Sequence, residues 1–195
     1  MSWLGTAGDG LVWLLVGFWH IFTGWLFLFV APMKHFEALW IIIPIWISWI
    51  LTELYQEKQG TTFGNAISNG VLPLWAGTDW ARQLVHQLTI GQRVINLTMG
   101  VKLLLCALMI VYGLAIIIAG IRREGFVHEF GRIRTVTYTM IMLTPVMYGI
   151  VPLSWSYLAG VLLFFIPFYL LVEWCTDYLP NPAALIDDLK SGKSN

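Results

Sequence analysis

From Leu11 to Pro32 the chain reads LVWLLVGFWHIFTGWLFLFVAP, without one Asp, Glu, Lys or Arg. An α-helix needs about twenty such residues to cross a hydrocarbon core of ~30 Å. The pattern predicts a first span over Leu11–Ala31, closed by Pro32. A second covers Phe36–Tyr55. Pro44 interrupts it, which is tolerated where neighbouring helices satisfy the freed carbonyl. Met99–Ile121 is the clearest span and ends at Arg122 and Arg123. Two more follow at about Val136–Ile150, short unless it begins near Ile133, and Leu153–Trp174, separated by Pro152 and carrying Pro145 and Pro167. Beyond them Asn181 suits an N-cap and Pro182 a first helical position. They introduce a short amphipathic helix over Ala183–Lys190.

Between the second and fourth runs the pattern changes. Gly60–Trp80 reads GTTFGNAISNGVLPLWAGTDW, rich in Gly, Thr and Asn. At helical spacing Thr61 or Thr62, Asn65, Ser68 and Asn69 share one face, with Phe63, Ile67, Leu72 and Leu74 largely elsewhere. Pro73 is expected to break or kink the segment. A polar-faced third span, a re-entrant half-helix pair and an interfacial amphipathic helix all fit. A third span or deep re-entrant element over 61–80 is favoured, and its polar face must then be covered by protein or wet. Gly60, Gly64, Ala66 and Gly70 read as close-packing positions, with the second span as the expected partner. The fold class that follows is all-α, a polytopic transmembrane bundle of about six spans forming one membrane domain over residues 1–195.

Composition agrees. Apolar residues make up 58% of the chain and charged residues 11%, against roughly 45–50% and 25% in soluble domains. The net charge is zero, so nothing suits a nucleic-acid partner. The expected partners are membrane lipids and other membrane subunits or further copies of the chain. The segment 122–134 holds Arg122, Arg123, Arg132 and Arg134 against Glu124 and Glu129. By the positive-inside rule it faces the cytoplasm of a cell membrane. The tail 176–195, two spans later, is expected on the same side. Six spans put the N-terminus inside as well, and five put it outside.

Several polar residues fall within or beside the spans. His20 lies near the middle of the first, where an ionisable group marks a functional site by default. It is either a neutral hydrogen-bonding side chain or, less favoured, an axial ligand to a haem or chlorophyll-type macrocycle. His35, His86 and His128 lie near span ends or in loops, so no second mid-membrane histidine completes a pair. No other cofactor or metal is expected. Glu53 and Glu57 share a face at the end of the second span, and Asp79 closes the polar segment. These carboxylates line a hydrated path or are paired with Lys58, Arg82 or Lys102 at headgroup depth. Lys102 is expected to snorkel to the interface. Trp19, Trp46 and Trp49 come into register with His20 if the first two spans are antiparallel neighbours. Cys106 and Cys175 form no framework. Thr61–Asn65 lacks the second glycine and the apolar pore helix of a potassium-channel filter. HExxH, GxSxG, CxxC and P-loop motifs are missing from the sequence.

Two functions follow from this inventory. One is an ion or small-solute transport component whose path is lined by His20, Glu53, Asn65, Ser68, Asn69 and Asp79. The other is a non-conducting structural subunit of a membrane complex. A redox or pigment-binding role through His20 is third.

Overall fold

The computed structural model describes residues 3–58, 60–91 and 96–180. Every regular element among them is helical. They are α1 (Trp3–Val30), a 3-10 turn (Ala31–Lys34), α2 (Phe36–Tyr55), α3 (Phe63–Thr89), α4 (Leu97–Ile121), α5 (Val127–Phe130), α6 (Ile133–Met147), α7 (Trp155–Leu163) and α8 (Phe165–Tyr178). Three starts are capped as their sequences demand. Thr62 Oγ1 accepts from Asn65 N at 3.1 Å, Asn96 Oδ1 from Met99 N at 2.9 Å and Ser154 Oγ from Tyr157 N at 3.2 Å. Each satisfies an amide that has no partner within its own helix. The short helix expected over Ala183–Lys190 lies outside the described residues.

Four stretches are long and apolar enough to cross a membrane: Asp9–Lys34, Phe36–Tyr55, Leu97–Ile121 and Trp155–Tyr178. The last comprises two helices that meet at Phe164, just ahead of Pro167. Proline lacks the N–H that would bond the carbonyl four residues back and clashes with it, so the break falls there. Pro44, Pro73 and Pro145 stand inside helices that continue past them. Of the expected break or kink at Pro73, the break does not occur. α3 is one unbroken helix of 27 residues, ~40 Å long at helical rise, and not a pair of half-helices.

Its partner is also corrected. α3 packs chiefly against α4, while its contact with α2 is slight. The close approach is built from glycines seven residues apart on each helix. A Cβ on Gly113 would meet Gly70 O at 2.6 Å and Leu74 N at 2.7 Å, and one on Gly77 would meet Cys106 O at 2.9 Å. A Cβ on Gly120 would meet Ile67 Cγ1 at 2.6 Å. Seven residues forward on α3 match seven back on α4, as antiparallel helices require, and backbone meets backbone. Gly60 and Gly64 take no part, since a Cβ at Gly60 meets nothing and one at Gly64 only Thr62 Oγ1 at 3.8 Å. Ala66 is buried against Ile116, Ala119 and Val127.

α6 forms the centre. Twelve of its 15 residues are buried, among them Val136, Met140, Ile141 and Met142. A helix covered by protein on most sides needs no long apolar run, which explains its threonines. Around it α1, α2, α8 and the α7–α8 junction contribute Trp25, Phe29, Trp49, Phe168 and Phe164 to the main core. Trp25 Nε1 donates to Tyr138 Oη at 3.0 Å, and that hydroxyl donates to Val161 O at 2.7 Å. The rings thus bury their apolar faces with a polar end satisfied.

The glycine seam yields a direct prediction. Gly113→Val should destabilise the protein in detergent by about 1–3 kcal/mol or more, the usual cost of overpacking. Gly100→Ala, where a Cβ meets nothing within 4 Å, should leave thermal stability unchanged or slightly raised. Equal melting of Gly113→Val and wild type would refute the seam.

Candidate functional site

Where α2, α3 and α6 meet, buried charge is concentrated. Glu53 stands in the last turn of α2 and Glu57 one turn later, in the connection to α3. Arg134 is the second residue of α6. Their exposures are 3%, 0% and 1%. A charge so buried persists only when paired and hydrogen-bonded. Arg134 Nε donates to Glu53 Oε1 at 3.1 Å and Oε2 at 3.3 Å, and Nη2 makes a further short bond to Oε1. On its other side the guanidinium lies 4.8 Å from the ring centre of Tyr169, and Nη1 lies 3.7 Å from Glu173 Oε1. Arg132 Nη1 donates to Tyr169 Oη at 3.0 Å.

Glu57 is the hub of the adjoining hydrogen bonds. Its Oε1 accepts from Asn69 Nδ2 at 2.6 Å. Its Oε2 accepts from Thr61 Oγ1 at 3.0 Å and from Ile133 N at 2.8 Å. Ile133 begins α6, so a loop carboxylate caps one of the amides that the helix itself leaves open. Asn69 Nδ2 also donates to Gly131 O at 2.8 Å. Burial pushes the Glu57 carboxyl above its ordinary 4.5, and neighbouring Glu53 adds to the rise while the three donors oppose it. The arrangement ties the α2–α3 connection to the start of α6. Among the described residues no group of three or more His, Cys, Asp or Glu side chains could hold a metal ion.

The six residues singled out from sequence fall in four places. Glu53 and Asn69 come together through the cluster just described. Asn65 is half-buried beside it, its Nδ2 donating to Gln56 O at 3.3 Å. Ser68 is exposed on the outside of α3. Asp79 lies ten residues beyond Asn69 on α3, ~15 Å along the axis. There its Oδ1 accepts from Arg82 Nη2 at 2.7 Å, and its Oδ2 accepts from the Tyr148 hydroxyl. Nearby Gln83 Nε2 donates to Glu37 Oε2 at 2.6 Å, and Glu37, Asp79, Arg82, Gln83 and His86 line part of a cleft of about 650 Å³. His20 is exposed on α1 and lines a recess of about 290 Å³ with Trp25, Ser154, Ser156 and Tyr157. Its opposite wall is the segment from Ile150 to Ser154 and the start of α7, not Trp46 or Trp49 of α2, and Trp49 packs on Phe168 instead.

The expectation for Lys102 is also corrected: it is 3% exposed and donates to Val146 O, so it does not snorkel. Of the expected carboxylate pairings, Asp79 with Arg82 is formed, while Lys58 donates to Leu179 O. Arg134 as the partner of Glu53 was not foreseen. The available signal was its position at the head of a predicted span, where an arginine must turn inward or reach the interface. No protein-family model, curated protein or solved structure matches the chain.

Removing one member of the Glu53–Arg134 pair leaves the other charge buried alone, at a typical cost of about 3–5 kcal/mol. Glu53→Met and Arg134→Met should each destabilise by that order, whereas the double variant should recover most of the loss. A double-mutant cycle of unfolding in detergent measures it. Additive losses would mean that the two side chains do not interact.

Proposed function

We propose that this chain is an integral membrane protein and a non-conducting structural subunit of a larger membrane assembly. In this reading α3 and α6 cross the bilayer with the four apolar stretches, making six spans. Loop 122–132 and the C-terminal tail lie on the cytoplasmic side of a cell membrane. α3 and α6 are the least apolar spans because α4, α2 and one another cover them.

One observation carries the subunit reading. From Leu11 to Val16 every residue of α1 is exposed, by 59% at the least and 74% at Trp13. Six consecutive residues turn through more than one full helical turn, so no face of this half of α1 packs on its own chain. Gly10, Gly17 and Gly24 recur every seven residues along it, and a Cβ on any of them meets nothing within 4 Å. The same spacing joins α3 to α4, where glycine lets backbones touch. On α1 that seam is free for a helix of another subunit, with lipid covering the remaining faces. The enclosed polar residues Glu53, Glu57, Asn69 and Arg134 support a rigid body that pairs its buried charges within itself, although Arg134 Nη1 makes no hydrogen bond among the described residues.

Gly17→Leu should reduce the mass of the tagged protein extracted from its own membranes in mild detergent, while its melting temperature stays near wild type. A wild-type protein that is monomeric under those conditions would contradict the reading.

A second reading, ion or small-solute transport, is favoured by two clefts that hold ionisable side chains toward opposite ends of α3. One contains Asp79 and Glu37, the other Arg123 and Arg132. Transport predicts flux of a small ion through wild-type liposomes that Asp79→Asn reduces. Liposomes equally tight with and without the protein favour the structural role.

A further inference from the structure

A cleft of about 820 Å³ opens between the start of α3 and the loop that follows α4. Residues 60–64 form one side, and Arg123, His128 and Arg132 stand on the other. Glu129 is the carboxylate on its wall, so the balance of charge is positive. Arg123 has no side-chain hydrogen bond or ion pair among the described residues. Arg132 is held by Tyr169 and lies 3.9 Å from Glu173, but its Nε is buried without a partner. The cap of α3 uses the amide of Asn65, which leaves Phe63 and Gly64 with amides that have no intrahelical partner. They lie at the positive end of a long helix and on the wall of this cleft.

The backbone at Arg123 adds a further observation. Its φ is 58°, with Arg123 N donating to Gly120 O at 3.1 Å and Glu124 N to Ala119 O at 2.9 Å. These two bonds form the turn that ends many helices, and glycine normally fills the left-handed position. An arginine there strains the backbone, and strain retained at one residue points to a task for its side chain. Further along the same connection Phe126 and Phe130 are 50% and 56% exposed, with ring centres 6.2 Å apart. An arginine without a side-chain partner among the described residues, three and seven residues before two exposed aromatic rings at the end of a membrane-length helix, suits the boundary between headgroups and acyl chains.

We propose that this cleft binds the phosphate of an anionic phospholipid headgroup, with Arg123 as its principal contact and Phe126 and Phe130 resting in the acyl boundary. The proposal rests on the membrane reading above. It does not depend on whether the protein conducts.

Thermal unfolding in nanodiscs tests it. Adding phosphatidylglycerol to phosphatidylcholine discs should raise the unfolding midpoint of wild type and of Arg122→Gln, whose side chain does not line the cleft. Arg123→Gly should lose that rise. In pure phosphatidylcholine the same variant should unfold at or above the wild-type temperature, because glycine relieves the left-handed strain. A phosphatidylglycerol effect that Arg123→Gly retains, or that wild type lacks, would overturn the site. Equal stabilisation by inorganic phosphate in phosphatidylcholine discs would overturn the lipid assignment. Failure to float with any bilayer would overturn the membrane reading and this proposal with it. Flotation separates that outcome from loss of the headgroup effect alone.

Discussion

Arg134 sets the terms for the rest of the molecule. A guanidinium that is 1% exposed is tolerable only if several groups surround it, and they come from two other helices. Glu53 reaches it from α2, while Tyr169 and Glu173 reach it from α8. The ends of α2, α6 and α8 are therefore drawn to one point. Glu57 extends the same knot to α3 through Asn69 and Thr61. Such a network contributes little net stability compared with apolar packing of equal volume, yet losing one member is costly. Its effect is to make one arrangement of these helices far better than its neighbours.

Opposite constraints shape the other contacts. α3 and α4 meet through glycine backbones, so their separation is fixed by the absence of side chains at Gly70, Gly77, Gly113 and Gly120. The polar face of α3 is turned to α2 and α6, where Asn69 and Gln83 find carboxylates. One helix thus uses small residues on one side and hydrogen-bonding residues on another. This is why its sequence looked too polar for a span and too apolar for a loop.

Local signals were legible in the sequence. The apolar run at about Phe36–Tyr55 coincides with α2, and α4 begins two residues before the expected Met99. Both lie in long apolar runs with clear punctuation. The Gly, Thr and Asn content of 60–80 sets that segment apart in the sequence, but nothing local names its partner. Gly60 and Gly64 precede Gly70 in the same small-residue series, and spacing alone cannot say which of them meets another helix. Glu53 and Arg134 are separated by 81 positions, and no local pattern reports a pairing of that kind. Asp79 and Tyr148, 69 apart, escaped for the same reason. His20 was chosen for its depth in a span, yet depth does not tell which face of α1 it occupies.

The structural-subunit reading requires that the buried part of the polar side of α3, around Asn69 and Gln83, is enclosed by protein and that no wet path runs through the bundle between the two clefts at its ends. Hydroxyl-radical footprinting of the reconstituted protein, read by mass spectrometry, addresses it without altering a residue. Trp80, Met109, Met140 and Met142 are buried along the interior, whereas Met33 and Trp155 are exposed at 57% and 86%. A sealed interior predicts oxidation of neither Trp80 nor the three internal methionines under conditions that modify Met33 and Trp155. Oxidation of Trp80 together with Met140 or Met142, in protein that remains folded, would contradict it.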